Sequence, residues 1–402
     1  MALTVRRQGG VVVEYAGEGV VFDPTSAAVP YPAFVSHAHA DHSAAFRYKD
    51  LIKYATEPTY RLLGALGRRR KGEWRPVSVG GRVKAGDIEV RVHNAGHVLG
   101  SVEFEAATPE GTVLYTGDFA LGDSYTMEAA EAVSCDLLVI ETTFGAPMFT
   151  FPKRDEVALD MVRWAVMEAI PGGRVPTFKA DSIGNAQEII SIFNRMTKLP
   201  VVTAKSATKV SDVYREYGYS LDYVDADSDE GRELLEAGRC VLVAPKGSKL
   251  KRENLEVALA SGWAAIMKRR GHSFPLSDHA DFRDLLRFIR RCHPKRVLTF
   301  HGGALTKGFA GYVRRRLGID ARLLTGSEET LMGTASKSEV RMRACCDQLL
   351  RTVRIPGFVY TTPWLVREMA RRGFTRGEAE AALRHLIERD LLAHAGSGIK
   401  LR

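Results

Sequence analysis

The sequence predicts an α/β protein, on three observations. The first 145 residues are short β-rich runs with only brief helical spacing between them, residues from about 150 alternate strands with helices, and residues 339–402 read as three helices and a short final strand. Alternating strands and helices build a parallel sheet with helices packed on it.

The β-rich runs are VVVEY, GVVFDP, AFVSHAH, DIEVRVH, VEFEAA, TVLYTGD and LLVIETT, with helical spacing at Asp41–Tyr48 and Thr59–Leu66. Beyond them, Glu156–Ile170 and Gly184–Met196 carry apolar residues at helical spacing, and RVPTFK, PVVTAK and CVLVAPKG read as strands. Asp181-Ser182 stands where a cap for the second helix belongs. From 261 to 330 the chain returns to helix and strand (DFRDLLRFIRRC, RVLTFHGG), and the polar linker Gly326–Ser338 ends the main body. The tail resembles a winged helix, with Thr361 or Thr362 before Pro363, and Thr375 before Glu378, as N-caps.

Composition narrows the class. Lys and Arg number 57 against 48 Asp and Glu, a formal charge of +9, and hydrophobic residues make up 45% of the chain. No run approaches the roughly 18 apolar residues of a membrane span, and no apolar signal core precedes Arg6 and Arg7, so the expected location is the cytoplasm, with no membrane partner. The five cysteines are odd in number and never spaced C-x-x-C, which argues against a disulfide framework and a thiolate zinc site. Any metal must be held by His and carboxylates. From Lys337 onward 13 Lys and Arg face 7 Asp and Glu, a concentration of positive charge suited to phosphates.

The strongest chemical signal is His37-Ala38-His39-Ala40-Asp41-His42, four potential ligands within six residues after the apolar strand AFVS. His37 and His39 point one way from a strand-to-helix turn, while Asp41 and His42 reach a second position. Three further residues complete two sites: His97 in NAGHVLGS, Asp118 in VLYTGDF and His301 in LTFHGG. His37, His39 and His97 then hold one cation, Asp41, His42 and His301 the other, with Asp118 bridging. Imidazole with carboxylate suits Zn²⁺, two per chain, and Mn²⁺ or Fe accept the same donors; such pairs sit roughly 3.5–4 Å apart.

This order of ligands resembles the metallo-β-lactamase superfamily, which implies an αββα sandwich with metals at one sheet edge; Asp23 in VVFDP matches its early structural aspartate. Glu141 in VIETTFG, His279 in FPLSDHADF and His301 resemble the three extra motifs of the β-CASP branch, its nucleic-acid nucleases. The segment GNAQEII resembles that branch's Gly-Arg-Ala-Gln-Glu, with Asn185 where an Arg is usual. The resemblance implies a first metallo-β-lactamase part at 1–150, an inserted β-CASP domain at 151–260, a return at 261–332 and the winged-helix-like domain at 339–402. It also implies catalytic roles for Asp118, His279 and Glu141: Asp118 orients the nucleophile, and His279, charged by Glu141, protonates the leaving alkoxide.

Within the branch, SGWAA, PLSDHADF and LTFHGG look most like exonuclease-type proteins associated with DNA ligase and helicase, which would be partners. That likeness and the tail point to DNA as substrate, whereas a metal-binding His301 resembles the RNA-cleaving members. A small-ester or thioester hydrolase would share the ligands but needs neither Glu141 nor His279. Lys268-Arg269-Arg270 and Arg68-Arg69-Arg70-Lys71 are candidate phosphate contacts, and His93, His293, His385 and His394 read as packing or surface. The oligomeric state stays open.

Overall fold

The computed structural model describes residues 2–250, 252–266, 271–327, 329–331, 337–355, 357–389, 391–396 and 398–401. The chain divides into two compact units: Thr4–Ala107 with Thr112–Thr330, and Leu331–Arg402 with Met1–Leu3 and Thr108–Gly111.

The larger unit is built on two seven-stranded sheets and a six-stranded one. The first sheet begins as an antiparallel meander (Leu3–Arg7, Val11–Tyr15, Glu18–Phe22) and continues with parallel strands Ala33–Phe34, Lys53–Thr56 and Trp74–Val77. The second runs in the order Asp320–Leu323, Arg296–Phe300, Leu137–Glu141, Gly111–Tyr115, Val102–Thr108, Ile88–Asn94, Arg82–Ala85. Leu137–Glu141 is buried along its whole length between parallel neighbours, which is why LLVIE is continuously apolar up to its terminal acid. Rings fill the core between these sheets: Phe22 stacks on Tyr115 at 5.2 Å and on Phe104 at 5.5 Å, and meets Phe34 edge-on at 5.9 Å. Layered sheets flanked by helices form the expected αββα sandwich.

All the pairings in the six-stranded sheet are parallel, in the order Val224–Asp225, Val201–Thr203, Val241–Pro245, Val175–Ala180, Leu255–Ala260, His272–Phe274. Its last strand lies beyond 260, where the sequence places the return to the first domain: Ala258 pairs with His272, so hydrogen bonding keeps residues 272–274 with the insert. Helix Phe282–Cys292 follows, with Leu285, Leu286 and Ile289 buried and Arg283, Arg287 and Arg290 exposed; Asp281 caps it, accepting from Asp284 N at 2.8 Å.

Several local expectations change. Asp41–Tyr48 forms only a short turn, Ala44–Arg47, because the N–H groups of His42 and Ser43 both turn back to the His39 carbonyl. The helix expected at 156–170 begins at Arg154 and ends in a wide turn, Ala165–Ala169. Asp181 and Ser182 do not cap helix Asn185–Met196: Gln187 accepts from Gly184 N at 2.9 Å, and the Asp181 carboxylate pairs with Lys246. Lys53–Thr56 and Trp74–Val77 carry no clear apolar alternation and are strands through pairing alone, whereas Arg82–Ala85 does alternate, exposed Arg82 and Lys84 with half-buried Val83 and Ala85, in a run too short to stand out. Lys53 is fully buried and donates to the carbonyls of Tyr48 and Lys71.

The smaller unit has helices Lys337–Thr352, Thr362–Arg371 and Arg376–Glu388 and a three-stranded sheet ordered Tyr360–Thr361, Gly398–Leu401, Leu392–Ala395. Its core includes Cys345, Leu349, Leu365, Met369, Leu383 and Ile399. Thr375 caps the third helix with Glu378 in a reciprocal box, whereas Thr361 caps the second without a side-chain bond. All five cysteines are buried thiols. Among the described residues no helix is long and apolar enough to cross a membrane.

Candidate metal centre

The site sits on loops that follow strands of the two large sheets: 37–42 after Ala33–Phe34, His97 after Ile88–Asn94, Asp118 after Gly111–Tyr115 and His301 after Arg296–Phe300. Two glycines allow these loops to close. Gly117 has φ +54°, and a Cβ there would lie 2.7 Å from Ser36 Cβ; a Cβ on Gly302 would overlap the Thr142 carbonyl. Asp23 (φ +45°) and His301 (φ +42°) hold left-handed backbone without being glycine, a strain that the surrounding bonds maintain.

Hydrogen bonds fix which nitrogen of each histidine faces inward. Ser36 gives its hydroxyl proton to Asp23 at 2.5 Å, so it accepts from His37 Nδ1 at 2.9 Å. His97 Nδ1 donates to the Asp278 carbonyl at 2.8 Å and His39 Nε2 to the Ile183 carbonyl at 3.4 Å. The lone pairs left over, on His37 Nε2, His39 Nδ1 and His97 Nε2, converge: His39 Nδ1 is 3.1 Å from each of the other two. Tetrahedral zinc with bonds of about 2.05 Å places its donors roughly 3.3 Å apart, so this triad fits the ion. Asp118 Oδ2 closes the group at 3.5 Å from His37 Nε2 and 3.9 Å from His97 Nε2.

Asp118 Oδ2 also lies 3.3 Å from His42 Nε2, which opens the second group: His42, Asp41 and His301, with Asp41 Oδ2 3.9 Å from His42 Nε2 and 3.6 Å from His301 Nε2. His42 Nε2 and Asp118 Oδ1 are buried without a hydrogen-bond partner, as cation donors would be. Asp23 holds this half in place. Its carboxylate accepts from Ser36 N at 2.6 Å, His42 Nδ1 at 2.6 Å and Tyr115 OH at 2.8 Å.

Burial, reinforced by neighbouring imidazoles, lowers His37 and brings His39 and His97 down to about 4, keeping them neutral. Burial also acts against His42, but Asp118 and Asp23 outweigh it and hold His42 well above its usual range. Against its own burial, Asp118 is held well below the carboxylate range, chiefly by His42.

His279 stands beside the triad, its ring 4.5 Å from that of His97. Its Nδ1 donates to Glu141 Oε1 at 3.0 Å, while Glu141 Oε2 accepts from Thr143 N at 2.9 Å. Burial would lower His279, but Glu141 and then Asp118 raise it to about 10.

All nine residues singled out for metal or catalysis come together here. Two further residues support the site in ways the sequence did not signal. Asp278 is buried, with Oδ1 3.8 Å from His279 Nε2, and Arg68 donates to the Ala38 carbonyl inside the ligand loop. Arg68 therefore braces the loop, and Arg70 lies over Tyr60 at 4.5 Å, leaving Arg69 and Lys71 as the outward cations of that run. Lys268-Arg269-Arg270 lies outside the described residues. His93 is a packing residue, 3.0 Å from Glu105.

Comparison with known proteins gives the same constellation a family. The family described as "Zn-dependent metallo-hydrolase RNA specificity domain" matches residues 267–324. A probable DNA ligase of Opitutus terrae is 32% identical over 315 residues, which cover 76% of this chain and 30% of that protein. An RNase J-like protein of Methanocaldococcus jannaschii is 29% identical over 208 residues (46% and 49%), and RNase aCSPSF2 of Saccharolobus solfataricus 24% over 358 (71% and 72%). The chain thus spans less than half the length of the first two relatives. A solved Enterococcus faecalis protein of unknown function shares the fold, with a TM-score of 0.59 at 16% identity over 82% of this chain and 100% of its own. With its candidate His and Asp donors in this order and its six-stranded insert, the chain belongs to the metallo-β-lactamase superfamily, in the β-CASP branch.

Proposed function

We propose that this protein is a cytoplasmic two-zinc nuclease that hydrolyses phosphodiester bonds, with DNA as its substrate and trimming from an end as its mode. The observation that carries the reading is the pairing of two donor groups through Asp118 Oδ2, with His279, hydrogen-bonded to Glu141, beside them. Bound at these donors, zinc ions would supply hydroxide at neutral pH and offset the charge of the phosphate. The chain's own residues do the rest. Asp118 accepts a hydrogen bond from the nucleophile and aims it, and His279, its Nδ1–H tied to Glu141, gives the proton on Nε2 to the leaving alkoxide. Asp278 stands 3.8 Å from that nitrogen and helps keep the ring charged.

The choice of DNA rests on the likeness to a protein named a probable DNA ligase over 76% of this chain, which also makes a ligase a candidate partner. RNA is the second reading, favoured by the match at 267–324 and by relatives named as RNases. The test is cleavage of end-labelled DNA and RNA oligonucleotides of one sequence, single- and double-stranded, with zinc or manganese and Asp118→Ala as control. Stepwise shortening of DNA with RNA spared supports the proposal. Cleavage of RNA alone moves the protein to RNA processing.

A further inference from the structure

The third helix of the smaller unit, where a winged helix commonly meets nucleic acid, is poorly suited to that task here. Helix Arg376–Glu388 carries Glu378, Glu380 and Glu388 against Arg376 and Arg384, and Arg376 is tied to Glu380 at 2.8 Å. The opposite character appears between the first and second helices. Phe358 is 53% exposed and Trp364 40%, and they are joined through Tyr360: Phe358 to Tyr360 is 4.7 Å between ring centres, and Tyr360 to Trp364 5.7 Å. Arg351 and Arg354 are exposed just before this row, with no ion-pair partner among the described residues, and Arg367 follows Trp364 by three positions, on the same face of its helix.

We propose that this aromatic row, with Arg351, Arg354 and Arg367, is a binding platform for single-stranded DNA, its bases stacking on Phe358 and Trp364 and its phosphates meeting the guanidinium groups. Exposed rings flanked by exposed arginines are what a strand with unstacked bases needs; Arg367 spends only its Nε–H, on the Pro363 carbonyl at 3.3 Å, and the unit's excess of cations attracts a polyanion. A duplex presents no free base faces to such a row, so the platform selects single strands. The inference rests on the nuclease reading only for the identity of the occupant.

The test uses the full chain carrying Asp118→Ala, without divalent metal, and fluorescein-labelled dT20 read by anisotropy. Phe358→Ala and Trp364→Ala should each weaken binding about tenfold, while Phe358→Tyr and Trp364→Phe keep it within about threefold. Arg351→Gln and Arg354→Gln should each reduce the slope of log affinity against log salt by about 0.7. Circular dichroism melts identical to the parent show that the unit stays folded. Unchanged affinity in both alanine variants overturns the proposal. So does an aromatic patch whose loss dissociates a dimer in sedimentation without changing DNA affinity. Cleavage of a tetranucleotide by the chain with Asp118 intact reports on the nuclease reading separately: a protein that binds dT20 through these rings but cuts nothing keeps the platform and overturns the nuclease.

Discussion

His39 Nδ1 lies 3.1 Å from His97 Nε2, and both atoms carry lone pairs because the other nitrogen of each ring donates to a backbone carbonyl. Two such lone pairs facing each other with no proton between them repel. The arrangement is held by Ile183 and Asp278 carbonyls from outside the ligand loop, and a cation at the point of convergence turns the repulsion into coordination. His97→Ala should therefore remove one equivalent of tightly bound zinc, measured by plasma mass spectrometry after dialysis. Full retention of both ions would contradict the triad.

Asp23 meets His42 on Nδ1, the nitrogen opposite the one that faces Asp118, and takes Ser36, His42 and Tyr115 on one carboxylate. Asp23→Asn replaces an acceptor with an amide that must face the donor on His42. Zinc affinity should fall about 10–100-fold, as is usual when an outer partner of a ligand is lost. Competition with a chromophoric chelator measures it.

The pH dependence of the metal-free protein follows from His39 and His97, which burial brings to about 4 in the folded state against about 6.5 unfolded. Between those values the unfolded chain binds more protons. The stability these residues contribute is whole above about 6.5 and falls as pH drops toward about 4. His42 and His279 are raised in the folded state and act above this window. Thermal melts of chelator-treated protein should show Tm declining as pH falls from about 6.5 toward about 4, and zinc should narrow the decline. A Tm that rises on acidification within that window would contradict the assignment.

His279→Ala should lower kcat by about 10²–10⁴ on a nucleic-acid substrate with metal content unchanged. A nitrophenyl phosphodiester, whose leaving group needs no proton, should lose much less. Equal losses on both substrates would make His279 a structural support instead of the acid.

The convergence of the seven candidate donors was legible because one short run, 37–42, holds four of them and the remaining three follow strand ends marked by Gly or Asp. The family resemblance pointed to Glu141 and His279, which lie beside them. What escaped notice depends on tertiary approach. Asp278 contributes through its backbone oxygen to His97, 181 positions away, and Arg68 turns inward to Ala38 although its run Arg68–Lys71 reads as a solvated or phosphate-facing face. Lys53–Thr56 lacks alternation because both faces are buried, and strand His272–Phe274 is too short to stand out without its partner Leu255–Ala260.

Titration of zinc into the chelator-treated protein, with bound metal and phosphodiester cleavage read on the same samples, asks whether hydrolysis needs both donor groups filled. Two equivalents should bind, with hydrolysis appearing as the second is filled and none in Asp118→Ala. Full turnover with one equivalent, or cleavage that survives Asp118→Ala, would contradict the two-zinc reading.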